Sequence, residues 1–233
     1  KDPRLGAARP GRDHLTGREP GVKRCVIFTA GEQRGIERRQ IGLRAEDFVI
    51  CCDAGYRLAE ELGVTPDLLL GDFDSYTGPL PEGIPVKRYI RDKDDTDTAA
   101  AVKYALAEGY DSLLLVAALG GRLDHLIGNL QILAYIAKQA PGTQAEILGA
   151  HERVWLLDEG SLTIRGKAES TFSVLCHSDT ATGVTITGAR FPLENATLTN
   201  AFPLGVSNRI GEGREVTVSV ESGILFVILP KEI

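Results

Sequence analysis

The sequence predicts an α/β fold, with an amino-terminal parallel-sheet α/β domain followed by a smaller all-β domain of sandwich or barrel type. Three observations carry this. From Arg24 to about Ala140, short continuous apolar runs alternate with helical segments, the pattern of parallel strands covered on both faces. After Pro141-Gly142 the texture changes to eight short strand-like runs punctuated by Gly, Pro, Asn and Asp, as in small β-sandwiches and barrels. Within them, Val216, Val218 and Val220 alternate with Thr217 and Ser219, so one face is buried and one is wet.

The elements follow in order. Residues 1–21 carry Arg, Gly and Pro with few large apolar side chains and a charge of +2, the composition of a disordered or artificially appended tail. A basic arm for an anionic partner is the alternative. Arg24–Thr29, Asp47–Cys52, Leu68–Leu70 and Ser112–Ala117 read as buried strands. Tyr56–Leu62, Asp97–Glu108 and Asp124–Lys138 read as helices. In the second of these, Ala101, Val102, Ala105 and Leu106 form a helical stripe. The later strands are expected at Gln144–Leu148, Arg153–Leu157, Ser161–Ile164, Phe172–Cys176, Val184–Thr187, Ala196–Asn200, Glu215–Val220 and Ile224–Leu229. The boundary is expected near residues 139–143. This gives a tail at 1–21, an α/β domain at 22–141 and a β domain at 142–233.

The chain has 233 residues, 25% charged and 43% hydrophobic, enough for one large core or two modest ones. Its net charge is −6, or −8 without the tail. Such a protein is not expected to hold nucleic acid by bulk electrostatics, although it can hold a polyphosphate through a cation. No apolar run approaches the roughly 18 residues of a membrane span. Cys25, Cys51, Cys52 and Cys176 form no Cys-x-x-Cys pair, and three lie in apolar runs; buried reduced thiols in a cytoplasmic protein are expected. Asn195-Ala196-Thr197 matches a glycosylation sequon and reads as chance. Met is absent and the chain starts at Lys1, which reads as a trimmed, tagged or incompletely written sequence.

Three clusters fall at the carboxyl ends of expected parallel strands, the edge where open α/β sheets bind ligands. Gly71-Asp72-Phe73-Asp74-Ser75 directly follows Leu68–Leu70. In an extended chain both carboxylates leave on one side, and their repulsion favours a cation between them. Hard oxygen ligands suit Mg²⁺. The plain alternative is a turn, which Asp and Ser also favour. Arg91-Asp92-Lys93-Asp94-Asp95-Thr96-Asp97-Thr98 precedes a helix. Asp94, Asp95 or Thr96 could cap it, but one cap does not need four acids. The density suits a metal–phosphate site in which acids hold the cation and bases meet phosphate oxygens. Finally, Gly120-Gly121-Arg122-Leu123-Asp124-His125 joins an apolar strand to a helix. Its glycines allow close backbone approach and the helix start attracts anions. Arg122 would clamp a phosphate, and Asp124 would accept a hydroxyl hydrogen bond. His125 stands where structural histidines are ordinary and receives no catalytic role.

Gly78–Gly83 has the spacing of a phosphate-binding loop but is followed by Ile84-Pro85, not Lys and Ser or Thr. No G-x-G-x-x-G follows the first strand, against a dinucleotide-binding domain. The Asp-x-Asp is similar to that of aspartyl-phosphate phosphatases, but its fifth position is Tyr76 and it follows the third strand.

Taken in order, these motifs resemble the thiamine pyrophosphokinase (thiamine diphosphokinase) family. The likeness covers residues 24–230 and rests on Gly71–Ser75, Asp94–Asp97 and Gly120–His125, with Asn195–Leu198 and Gly205–Asn208 in the second domain. Asp53-Ala54-Gly55 stands where the family has Asp-Gly-Gly. The resemblance implies transfer of the diphosphate group of ATP to the hydroxyethyl group of thiamine, giving thiamine diphosphate and AMP. It implies that Asp72, Asp74 and Asp97 hold Mg²⁺. It places Lys93, Thr96, Gly120, Gly121 and Arg122 around the triphosphate. Asp124 would orient or deprotonate the thiamine hydroxyl, and Ser207 and Asn208 would meet the pyrimidine ring. It also implies a β-sandwich second domain and a cytoplasmic homodimer with the site between subunits. Trp155 reads as a half-buried strand aromatic rather than part of that cleft. Two other readings remain at this point: a Mg²⁺-dependent phosphohydrolase using the Asp-x-Asp, and a non-enzymatic nucleotide- or vitamin-binding module.

Overall fold

A computed structural model describes residues 12–13, 21–73, 76, 78–88 and 95–231. The chain divides into two compact units, one spanning 20–155 and the other spanning 156–233 together with the Arg12–Asp13 strand.

The chain begins with β1 (Arg12–Asp13), β2 (Arg24–Phe28), α1 (Arg38–Ile41), β3 (Phe48–Cys52), α2 (Gly55–Glu61), β4 (Leu68–Leu70) and β5 (Val86–Lys87). It continues through α3 (Asp97–Ala107), β6 (Ser112–Val116), α4 (Leu123–Gln139), β7 (Gln144–Leu148) and β8 (Glu152–Arg165). The strands of the α/β unit run β7-β6-β2-β3-β4-β5, all parallel. The start of β8 returns antiparallel to β7.

The apolar runs explain this sheet. Every residue of Arg24–Phe28 is buried, and so is every residue of Leu68–Leu70. Alternate residues serve the two faces. Val26, Phe28, Val49, Cys51, Leu69, Leu114 and Val116 join Tyr56, Leu58 and Ala59 of α2 in one apolar cluster. The intervening side chains, Ile27, Ile50 and Leu115 among them, are fully buried too, on the side where α3 packs on β2 and β3. A strand buried on both faces must be apolar throughout, which is how the sequence reads. At the opposite edge from the clusters, Arg24 and Asp47 form a buried bidentate pair, with Nη2–Oδ2 at 2.6 Å and Nε–Oδ1 at 2.9 Å.

The order matters for function. From β2 the chain winds outward through β3, β4 and β5, then returns to place β6 on the other side of β2. The loops after β2 and β6 therefore part in opposite directions and leave a crevice, the usual ligand site of such sheets.

Three differences from the sequence expectation concern boundaries and burial. Gln144–Leu148 pairs parallel with Ser112–Val116, so the α/β unit runs on past the boundary expected at 139–143. Gln144–Leu148 lies between β6 and the start of β8, and the Pro141-Gly142 before it is a loop within the unit. Trp155 is 3% exposed rather than half-buried. Of the segment expected to be a tail, Arg12–Asp13 is a strand parallel to Leu162–Thr163; the rest of 1–20 lies outside the described residues.

The second unit holds β9 (Thr171–Cys176), β10 (Thr180–Thr187), β11 (Leu193–Thr199), β12 (Asn208–Arg209) and β13 (Glu215–Pro230). The first half of β13 pairs with β10 and the second half with β9. The change of partner falls at Gly223, with φ of 103°, so one strand serves two sheets, as at the corners of sandwiches. Two expected strands, Glu215–Val220 and Ile224–Leu229, are thus one bent strand. Arg153–Leu157 and Ser161–Ile164 likewise merge into β8, bent where Glu159 and Gly160 have positive φ. Val216, Val218 and Val220 are buried while Thr217 and Ser219 are half-buried, as the alternation requires. The whole is an α/β domain followed by a β-sandwich. The four cysteines are unbridged and three are buried.

Candidate active site

A cavity of about 910 Å³ opens at the carboxyl ends of β2, β3, β4 and β6. Its walls are built strand by strand. After β2, Thr29 is buried and donates its hydroxyl proton to the Val116 carbonyl at 3.0 Å, and Gly31 N–H donates to Ala117 O at 2.8 Å. These bonds tie the β2 loop to the β6 loop across the crevice. At the end of β3 stand Cys52 and then Asp53, and after β4 comes Asp72. Burial pushes the Cys52 thiol well above its ordinary pKa, so it stays protonated at neutral pH.

The amino-terminal turn of α3 supplies Asp95, Thr96, Asp97 and Thr98. Thr96 is the N-cap: its Oγ1 accepts the Ala99 N–H at 3.2 Å. One residue, Thr96, suffices for the cap. Asp95 binds Lys103 of the same helix, with both carboxylate oxygens at 2.6 and 2.7 Å from Nζ. That hydrogen bond raises the Lys103 pKa, so the ammonium is fully charged at neutral pH.

After β6, Gly120 and Gly121 both take left-handed conformations, with φ of 78° and 70°, which side chains with a Cβ rarely adopt. They carry bare backbone along the wall to α4, whose N-cap is Arg122, with no side-chain cap bond. Arg122 grips Asp124, Nη2 to Oδ2 at 2.7 Å and Nε to Oδ1 at 3.2 Å. The guanidinium, helped by the His125 N–H, holds the Asp124 carboxyl below its usual range. Both side chains are exposed.

Of the residues expected from the sequence, Asp72, Thr96, Asp97, Gly120, Gly121 and Arg122 line this cavity together, as does His125. Asp124 faces a neighbouring cavity of about 390 Å³ between α3 and α4, which shares Asp95, Thr96, Lys103, His125 and Asn129 with the first. Asp74, Lys93, Arg91, Asp92 and Asp94 lie outside the described residues. Ser207 and Asn208 belong to the β unit. Ser207 has φ of 59° and its N–H donates to Ser173 Oγ at 3.0 Å. The buried Asn208 amide brackets Phe191, accepting its N–H at 3.1 Å and donating to its carbonyl at 2.7 Å.

Sequence reasoning misses Asp53, Lys87 and Lys103 as cavity residues. Asp53 carries the same signal as Asp72, an acid just past a buried strand. Lys103 stands seven residues after Thr96, about two helical turns on, and so shares its face.

The cavity's donors are mostly hard oxygens: four aspartates, Asp53, Asp72, Asp95 and Asp97, with Glu108 and three threonine hydroxyls, beside the imidazole of His125. This set fits Mg²⁺ better than a softer metal. Among the described residues, no three His, Cys, Asp or Glu side chains are already gathered as a metal cage.

Residues 42–144 match the family model described as thiamin pyrophosphokinase, catalytic domain. Residues 161–225 match the one described as thiamin pyrophosphokinase, vitamin B1 binding domain. The chain is 28% identical to the thiamine pyrophosphokinase of Bacillus subtilis (strain 168) over 182 residues, 76% of this chain and 84% of that one. The crystal structure of thiamine pyrophosphokinase from Bacillus subtilis superposes with a TM-score of 0.81 at 25% identity, covering 91% of this chain and 100% of that chain. That from Geobacillus thermodenitrificans gives 0.74 at 26% identity, covering 91% and 98%. The yeast structure shares the fold, with a TM-score of 0.73 at 14% identity over 98% and 93% of the chains.

Proposed function

The chain belongs to the thiamin pyrophosphokinase family, and from that premise we propose that it transfers the diphosphate group of ATP to thiamine at the crevice beside β2. The observation that carries this is the meeting, around one cavity, of Asp72, Asp97, Gly120, Gly121 and Arg122 from three separate sequence clusters. Neither the phosphohydrolase reading nor the non-enzymatic reading has support from the relatives.

In the reaction, the hydroxyethyl oxygen of thiamine attacks the β-phosphorus of ATP. A new O–P bond forms, the bond from the β-phosphorus to the α,β-bridging oxygen breaks, and AMP leaves. The hydroxyl proton passes to a carboxylate or to water. Asp72 and Asp97, with Asp74, would hold Mg²⁺, which neutralises charge on the phosphate oxygens. Gly120 and Gly121 let the triphosphate approach the backbone, and Arg122 meets it in bidentate fashion. Lys103 adds positive charge on the α3 side. Catalysis of this kind is mostly positioning and charge neutralisation. Asp124 acts on the thiamine hydroxyl by orienting it. Its depressed pKa makes it a weak base, which favours hydrogen bonding to the hydroxyl over taking its proton outright.

We assign ATP and Mg²⁺ to the α/β domain and thiamine and dimerisation to the β domain. Phe191, Phe202, Leu204 and Val206 are exposed large apolar side chains flanking Ser207 and Asn208, which supports an aromatic ligand or a partner subunit there. A cytoplasmic homodimer is the assembly this reading expects. No helix among the described residues is long and apolar enough to cross a membrane.

The test is thiamine dependence. With ATP and Mg²⁺ the protein should consume ATP only when thiamine is present. Steady release of inorganic phosphate without thiamine would instead indicate a hydrolase.

A further inference from the structure

Asp53 sits at the end of β3 and lines the cavity while only 8% exposed, and the reaction as drawn gives it no part. Its carboxylate has a specific acceptor role. Oδ1 accepts the backbone N–H of Phe73 at 2.8 Å. The backbone N–H of Asp53 donates to Leu70 O at 3.2 Å. The first bond reaches the turn that leaves β4, and the second reaches the last residue of β4 itself. That turn is costly to hold. Gly71 has φ of 143° and Phe73 has φ of 59°, and a bulky residue at positive φ persists only where its surroundings fix it. A Cβ placed on Gly71 would overlap Asp53 Oδ1, so the carboxylate lies directly against the turn. Asp72 lies between these two positive-φ residues, of which Phe73 is the strained one, and Phe73 is buried in the apolar cluster below.

We propose that Asp53 is a positioning residue: by accepting the Phe73 amide proton it fixes the left-handed turn at Gly71–Phe73 and so aims Asp72 at the cation. This rests on the reading of Asp72 as a Mg²⁺ ligand. The charge of Asp53 is secondary; its acceptor oxygen is what the turn uses. Asparagine keeps such an oxygen and alanine does not.

Three variants of the full chain test it: Asp53→Ala, Asp53→Asn and Gly71→Ala. Two measurements need no turnover: exchange of the Phe73 amide followed by NMR, and Mn²⁺ binding followed by electron paramagnetic resonance without substrates. In Asp53→Ala the Phe73 amide should exchange faster and Mn²⁺ affinity should fall by about 10- to 100-fold, the usual cost of losing an outer-shell partner. Asp53→Asn should restore slow exchange and most of the affinity. Gly71→Ala should reproduce the alanine result with Asp53 still present, and it decides the matter if Asp53→Ala fails to fold by circular dichroism. An Asp53→Asn protein with a protected Phe73 amide but alanine-like Mn²⁺ affinity would overturn the proposal, since Asp53 would then act by its charge. So would a Gly71→Ala protein with a released amide and unchanged affinity. A wild type that binds Mn²⁺ without transferring diphosphate fails the functional reading alone, and these comparisons still decide the role of Asp53.

Discussion

Arg122 and Asp124 hold each other through two hydrogen bonds, at 2.7 and 3.2 Å, at the first turn of α4. One is the residue expected to clamp phosphate and the other the residue expected to meet the thiamine hydroxyl. The pair sets a guanidinium and a carboxylate side by side at the start of α4.

The pairing sets a pH prediction. Arg122 holds the Asp124 pKa below its ordinary value, so the ionised pair persists above the usual carboxylate range and breaks only as pH falls through the depressed pKa. Asp124→Asn should therefore lower kcat/KM without changing the shape of its profile from about pH 6 to about pH 8, far above an Asp pKa near 3.9. Parallel pH–rate profiles of the two proteins check this. Loss of a limb within that window would return Asp124 to the role of general base.

Asp72→Asn should remove most turnover and leave the fold intact, because a charged ligand is lost at a solvent-facing sheet edge. The expected fall is on the order of a hundredfold or more, at least that of outer-shell changes. Turnover alongside circular dichroism measures it, and wild-type activity would refute the metal assignment.

Lys103→Gln should raise the KM for ATP by about tenfold, the equivalent of one charge-assisted hydrogen bond of about 1.5 kcal/mol. The thiamine KM should move far less. Initial rates with each substrate varied in turn separate the two. Equal effects on both would place Lys103 outside the nucleotide site.

Asp47→Ala should destabilise the α/β domain by about 3–5 kcal/mol, the usual cost of stranding one partner of a buried ion pair. Arg24 and Asp47 side chains are 9% and 1% exposed, and Asp47 also accepts the Arg44 N–H at 2.7 Å. Urea unfolding reads the change. A shift under about 1 kcal/mol would mean that Arg24 finds solvent or another acceptor once Asp47 is gone.

Much of this is legible in the sequence, for physical reasons that differ by element. Leu68–Leu70 reads correctly to the residue because a strand buried on both faces must be apolar throughout. The bent strands β8 and β13 each read as two, since Gly160 and Gly223 look like turns locally; only their partners across the sheet show that pairing continues. Gln144–Leu148 falls on the wrong side of the expected boundary because Pro141-Gly142 is stronger punctuation than its topology warrants. In the site, Asp72, Asp97 and Arg122 are visible because each stands beside a recognisable strand end or helix start. Lys103 and Asp53 escape notice as site residues because their roles come from the folded arrangement around them, Asp53 from Phe73 across two strands.

The nucleotide product tests the central claim most directly. With thiamine, ATP and Mg²⁺, phosphorus NMR should show AMP and thiamine diphosphate growing in equal amounts. ADP with thiamine monophosphate would place attack on the γ-phosphorus and contradict diphosphate transfer.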